Sequence, residues 1–260
     1  MHSDDLSNIA CRDLTISVPG RTLIDSLGIE LSKGEFVAIL GPNGVGKSLA
    51  LHTFAGIRPA QTGTIELQGK PLNEYSRHEI ALGLALLPQY TEDIFPATVI
   101  DTVMIGRHPH IGRFRWETKT DREIARQSLE QVDLLELWDR DVLTLSGGER
   151  RRLAVAQVLT QSASIYLLDE PTNHLDPQHQ LDVLKIFRGK ADNGDTVLAS
   201  LHDVNLASRF ADRCLLLFGD GRWEIGDTAS VLTGETLSRL YATAMETVPW
   251  RDTKVFVASG

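Results

Sequence analysis

Two cysteines in 260 residues, Cys11 and Cys214, with no CxxC spacing, exclude a disulfide framework and fit a reducing compartment. Basic charge is scarce as well: 26 Lys and Arg against 35 Asp and Glu give a formal net charge of −9. A large nucleic-acid surface or adsorption to anionic lipid needs a basic footprint, so no nucleic-acid partner and no direct lipid insertion are expected. The longest apolar run, "IALGLALLP" from Ile80 to Pro88, is about half of the ~18 residues that suggest a spanning helix. The opening "MHSDDLSNIACRDL" is acidic and lacks an apolar segment, so no secretory signal is expected there. Any membrane role would have to pass through a protein partner. Internal repeats, low-complexity segments and long linkers are missing too. What remains is ordinary globular composition, 42% hydrophobic and 23% charged, in a chain long enough to bury roughly 70–75% of its unfolded surface.

From "DLTISV" through "GTIELQGK" short β-type runs alternate with Gly and Pro, and "EFVAIL" (Glu35 to Leu40) leads straight into a glycine loop. That pattern predicts a buried strand feeding a helix. Between about Gln89 and Ser162 the pattern changes. "DREIARQSLEQVDLLELWDR" sets Ile124, Leu129, Val132, Leu135 and Trp138 near helical spacing, which predicts a helical insert. Strand-like runs return as "SIYLLDE", "TVLASLHD" and "RCLLLF", separated by helical stretches such as "HQLDVLKIF". Strands alternating with helices predict a parallel sheet that binds ligands at the carboxyl ends of its strands. The stretch from Thr236 to Gly260 carries no readable motif.

"GPNGVGKS" fits GxxxxGK[ST], with Gly41, Gly46, Lys47 and Ser48 at the fixed places. Glycines let successive backbone N–H groups turn inward around phosphate oxygens, and the helix that follows adds its positive end. Lys47 is expected to reach the β and γ phosphates and Ser48 to ligate Mg²⁺. The nucleotide-binding candidates are Gly41, Pro42, Asn43, Gly44, Val45, Gly46, Lys47, Ser48 and Leu49.

"IYLLDE" places Asp169 and Glu170 where an apolar strand emerges. Successive strand residues face different ways, so one carboxylate can hold magnesium while the next addresses an attacking water. Asp169 is the expected magnesium residue and Glu170 the expected general base. "NHLD" (173 to 176) resembles the guanine-reading motif of GTPases, but His174 stands where that motif has lysine, and only "PT" separates it from the acidic strand. A guanine reader is not expected.

Together "GPNGVGKS", Gln89 in "LLPQY", "LSGGE" (145 to 149), "LLDE", "NHLD" and His202 in "LASLHD" resemble, in order and approximate spacing, the ATP-binding subunits of ABC transporters over about residues 10 to 235. The resemblance implies an α/β fold: a P-loop NTPase core with a parallel sheet, a small N-terminal antiparallel β subdomain and a helical subdomain insert. Its implied bounds are 8–88 and 163–235 for the core with its β subdomain, 89–162 for the helical subdomain and 236–260 for a C-terminal extension. It also implies ATP and Mg²⁺ as cofactors and a head-to-tail homodimer. Each nucleotide would lie between the phosphate loop of one copy and the signature stretch Ser146, Gly147, Gly148 and Glu149 of the other. The same resemblance makes Gln89 a residue that touches magnesium or the attacking water, places Asp176 in the loop crossing the dimer interface, and makes His202 the switch histidine beside the γ-phosphate. Catalysis would thus rest on Glu170, His202, Gln89 and Lys47, and magnesium on Ser48, Gln89 and Asp169. Two departures stand out: Glu149 replaces the family's usual Gln, and Val18 occupies the place of the aromatic that stacks on adenine.

"VMIGRHPHIGRF", "LLELWDRDVLTLSGGERRRLAVAQVL" and "HQLDVL" are similar to the subgroup serving importers of iron chelates, haem and cobalamin. That likeness implies a polytopic membrane permease as partner, whose short cytoplasmic helix enters the groove around Gln89. A periplasmic or surface substrate-binding protein completes the implied complex, and this chain lies peripherally on the cytoplasmic face of the membrane. The pair His108 and His110 reads as incidental rather than as a metal site, and "RFRW" (113 to 116) as a solvated or permease-facing loop. Two other classes stay open from sequence: a soluble ATP-driven scaffold for iron–sulfur assembly, and a small-molecule kinase, for which LSGGE would have no purpose.

Overall fold

The structure is a computed structural model and describes residues 8–89, 96–112, 115–251 and 253–259. In chain order it begins with β1 (Ile9–Val18), β2 (Arg21–Leu31), β3 (Phe36–Leu40) and α1 (Lys47–Phe54), then β4 (Thr62–Leu67), β5 (Lys70–Pro71), α2 (Arg77–Gly83) and β6 (Leu84–Leu87). A helical run follows, with α3 (Val99–Met104), α4 (Lys119–Gln131) and α5 (Gly147–Thr160). After it come β7 (Ile165–Asp169), α6 (Pro177–Asp192), β8 (Thr196–Ser200), α7 (Val204–Phe210), β9 (Arg213–Leu217) and β10 (Trp223–Asp227). The chain closes with α8 (Thr228–Val231), α9 (Gly234–Tyr241), β11 (Met245–Trp250) and β12 (Thr253–Ala258).

A six-stranded sheet in the order β10-β9-β3-β8-β7-β6 forms the centre. Every residue of β3, β7 and β8 is buried, as expected of parallel strands covered on both faces. The side-chain alternation of β3 divides the core in two. Phe36, Ala38 and Leu40 pack with the helical run, α6 and α7, whereas Val37 and Ile39 pack with α1 and with a four-stranded antiparallel sheet ordered β2-β1-β4-β5. The expected parallel sheet has one antiparallel edge, β10 on β9. The link between those two strands turns through Gly219 and Gly221, both at positive φ, and a parallel return would need a crossover of roughly a dozen residues.

The fold resolves two stretches that the sequence described only coarsely. The apolar run 80–88 is split, because α2 ends at Gly83 and Leu84–Leu87 form β6. The helix expected across 121–140 stops at Gln131; Asp133 turns to φ 54 and Leu135–Leu137 continue as a 3₁₀ turn. The unreadable C-terminal stretch holds α9 and the β11–β12 hairpin, which is fastened to α7 by Asn205: its amide donates to the Phe256 carbonyl at 3.2 Å and accepts from the Phe256 N–H at 2.8 Å. No helix among the described residues is long and apolar enough to cross a membrane. Residues 113 and 114 of the RFRW run lie outside the described residues; Trp116 is 88% exposed.

Helix starts carry the most functional information. Thr118, Ser146, Asp176 and Thr233 cap α4, α5, α6 and α9 with their side chains. Among the described helices of eight residues or more, α1 alone has no side-chain cap; its N-cap is Gly46, at φ 106.

Candidate functional site

The loop between β3 and α1 is shaped by backbone that only glycine accommodates. Gly41 has φ 153, and a Cβ there would lie 2.4 Å from the Leu217 carbonyl oxygen. The first intrahelical bond runs from the Ala50 N–H to the Gly46 carbonyl at 2.8 Å, so the amides that precede it have no helical acceptor and point out of the helix start. Lys47 is buried, and its Nζ donates to the carbonyls of Gly41 at 2.8 Å and Pro42 at 3.1 Å. An ammonium has three donors, so one is left for a ligand. Burial lowers the Lys47 pKa, opposed by the charges of Glu170 and Asp169.

On the facing strand end, Asp169 is almost fully buried. Its Oδ1 accepts from the Ser200 hydroxyl at 2.7 Å, while Oδ2 is buried with no hydrogen-bond partner. Glu170 sits at φ 49, and its own N–H donates to the Ser200 Oγ at 2.9 Å. Its carboxylate gathers three side chains. Oε2 accepts from Gln89 Nε2 and Asn173 Nδ2, each at 2.8 Å, and Oε1 lies 2.6 Å from the half-exposed His202 Nε2.

Lys47, Ser48, Gln89, Glu170 and His202 line a single cleft of about 690 Å³ together with Asn43, Gly44, Gly46 and Leu49. Val18, Arg21 and Leu23 line it as well. Three loop candidates stay behind it: Gly41 and Pro42 supply carbonyls to Lys47, and Val45 is buried. The signature residues are elsewhere. Ser146, Gly147, Gly148 and Glu149 do not line the cleft; Ser146 and Gly147 are exposed at the start of α5. There the Glu149 N–H donates to the Ser146 Oγ at 3.3 Å, and the Ser146 N–H donates to Glu149 Oε2 at 2.7 Å, a complete capping box. Asp176, likewise exposed, caps α6 through the His179 N–H at 3.0 Å. His110 Nε2 lies 2.7 Å from the Gln161 carbonyl, and no group of three His, Cys, Asp or Glu among the described residues could hold a metal.

Sequence reasoning missed several members of the site. Asn173 stood in a motif set aside as a failed guanine reader, and Ser200 and Arg21 belong to no motif. Arg151 had a visible signal. It falls in helical register with Ala154, Val155 and Val158, all buried, and a cation in an apolar stripe implies a buried partner.

Comparison with known proteins identifies the family. The ABC transporter family matches residues 24–173. The chain belongs to the ABC transporter family. Among ABC relatives, the hemin import ATP-binding protein HmuV of Streptomyces coelicolor is 37% identical over 240 residues, 92% of this chain and 85% of that protein. The iron(3+)-hydroxamate import ATP-binding protein FhuC of Bacillus subtilis is 34% identical over 244 residues, 94% of this chain and 91% of that protein. A solved inward-facing ABC transporter superposes with a TM-score of 0.85 at 28% identity, covering 98% of each chain. This chain is an ABC ATPase subunit, and its nucleotide is ATP.

Proposed function

We propose that this ATPase powers a membrane permease importing an iron chelate, siderophore or haem, or a related corrinoid, and that it works as a homodimer on the cytoplasmic face of the membrane. The observation that carries the chemistry is the Glu170 carboxylate, held by three side chains across one cleft from Lys47. A carboxylate offers about four lone-pair sites, so three donors leave one to take a proton from an attacking water. Gln89, Asn173 and His202 hold the base in place, and Lys47 directs its remaining N–H to the phosphates. The open amides at the start of α1 do the same, and preset donors of this kind need no rearrangement as charge develops.

The unpartnered Asp169 Oδ2, beside a hydroxyl and with no dedicated cage of ligands, suits an ion that arrives with phosphate. Magnesium would be held by Asp169, Ser48 and Gln89 and would neutralise phosphate charge when bound.

Dimerisation rests on the exposed signature. Ser146, Gly147 and Gly148 do not line their own cleft, so their nucleotide would be that of a second copy, with Asp176 at that interface. The permease reading rests on the import relatives. It is supported by a groove of about 390 Å³ lined by Leu87, Pro88, Ile105, Pro109, Gln157 and Gln161, next to the segment that carries Gln89. A substrate-binding protein outside the membrane would complete the complex.

Light scattering on Glu170→Gln with and without MgATP tests the shared site. An ATP-dependent shift from monomer to dimer, abolished by Ser146→Arg, is expected. No shift, either alone or with co-expressed permease, would overturn the dimer. Co-purification with a polytopic membrane protein is expected in the same preparation; recovery only with soluble partners would point to an assembly scaffold instead.

A further inference from the structure

Arg151 is the most deeply buried arginine of the described chain, and nothing in the mechanism above uses it. It projects from α5 toward the ends of two adjacent strands. Nη1 donates to the carbonyls of Pro88 at 2.7 Å and Gln89 at 3.3 Å; Nη2 donates to those of Asp169 at 2.5 Å and Glu170 at 2.8 Å. The parallel pairing of β6 with β7 ends at Leu87 and Leu168, so these carbonyls lie just beyond the ladder. Only a planar fork of donors can serve four carbonyls on two strand ends at once; an ammonium is a point charge with three donors.

We propose that Arg151 is a positioning residue for ATP hydrolysis, its guanidinium locking together the backbone segments that carry Gln89 and Glu170. The proposal rests on Glu170 being the base. Glu170 needs such a lock because a non-glycine residue at φ 49 persists only when its surroundings over-determine it. Ser200 holds its N–H, and Arg151 holds its carbonyl. The carboxylates of Asp169 and Glu170 offset part of the desolvation of the guanidinium; burial still lowers its pKa to about 10, which leaves it charged at neutral pH. The Gln89 amide and the Glu170 carboxylate meet at 2.8 Å, and the same guanidinium fixes the backbone beneath both.

The test compares wild type, Arg151→Lys and Arg151→Gln in MgATP turnover, binding of a fluorescent ATP analogue, and amide hydrogen exchange. Expected for Arg151→Gln is a kcat lowered by about tenfold or more, with KM and analogue affinity within about twofold of wild type, since the phosphate loop does not touch Arg151. Exchange should quicken at 86–89 and 167–170 and stay unchanged at 44–49. Arg151→Lys should recover part of the kcat, and if Arg151→Gln does not fold, the lysine variant decides by the same split. Wild-type kcat in Arg151→Gln overturns the proposal. So does an equal loss of kcat, affinity and melting temperature in both variants, which is what a merely structural residue would give. Wild-type turnover that survives Glu170→Gln overturns the base assignment and this inference with it; turnover lost in Glu170→Gln but kept in Arg151→Gln overturns this inference alone.

Discussion

Two helix starts in this molecule are opposites. At α5, Ser146 and Glu149 meet each other's backbone amides, so the start is closed by its own residues and faces solvent. At α1 a glycine stands in the cap position, no side chain reaches back, and the start opens on the cleft beside a buried lysine. Both regions read as phosphate-facing in the sequence, yet they do so by different physics. One leaves donors unmet so that a ligand must supply the acceptor. The other meets two of its amides with its own side chains, and what it can still offer a phosphate is its hydroxyl proton, the Gly147 and Gly148 N–H groups and its helix dipole.

The largest effect that sharpens this contrast is chemical. Glu170→Gln should lower MgATP turnover by about a thousandfold while ATP still binds, because the α1 side of the cleft is untouched; phosphate release and equilibrium dialysis measure the two. Turnover above a tenth of wild type would remove Glu170 from its role. Next, ATP at about 100 times its Kd should stabilise the chain by about 2.7 kcal/mol, with slowed amide exchange at 44–49 and none at 146–149 in the monomer. Protection at α5 instead of α1 would reverse the comparison.

A third closed start, that of α4, gives a smaller effect. Thr118 and Asp121 form its capping box, and Arg107 Nε donates to Asp121 at 2.9 Å. The Thr118 hydroxyl bond, with the Thr118 N–H and Arg107, holds the Asp121 pKa down at about 2. A depressed carboxylate stabilises the fold above its unfolded pKa of about 3.9, and the contribution is lost as pH falls toward 2. Asp121→Asn should therefore cost roughly 2 kcal/mol near neutral pH and flatten part of the acid-unfolding curve, as read by urea melts between pH 2 and 7. The smallest effect belongs to Ser146→Ala. It should lower stability by about 1 kcal/mol and leave monomeric ATP binding unchanged; weaker binding in the monomer would mean that α5 does reach its own cleft.

Glycines and a buried strand made the phosphate loop legible, because positions such as Gly41 admit no other residue beside the Leu217 carbonyl. Asp169 and Glu170 were legible as a strand end, but their partners were not. Ser200 and Asn173 are common polar residues whose value lies in a fold-dependent approach, and Gln89 and His202 carried meaning only through resemblance to the family. The antiparallel edge β10 and the helix-to-strand switch at Gly83 escaped a reading based on periodicity. A short apolar run does not declare its period, and a hairpin reverses direction through its turn alone. At the C-terminus, α9 buries only Leu237 and Leu240, too few to set a pattern, and the hairpin depends on Asn205 some fifty residues earlier.

The uncapped start of α1 makes fuel part of the architecture. Other long helices of this chain bring their own finishing residue, whereas this one would borrow it from the nucleotide pool. Its most conspicuous unfinished joint would then be completed by the molecule it consumes, and how firmly the subunit is built at any moment would report how well the cell is supplied.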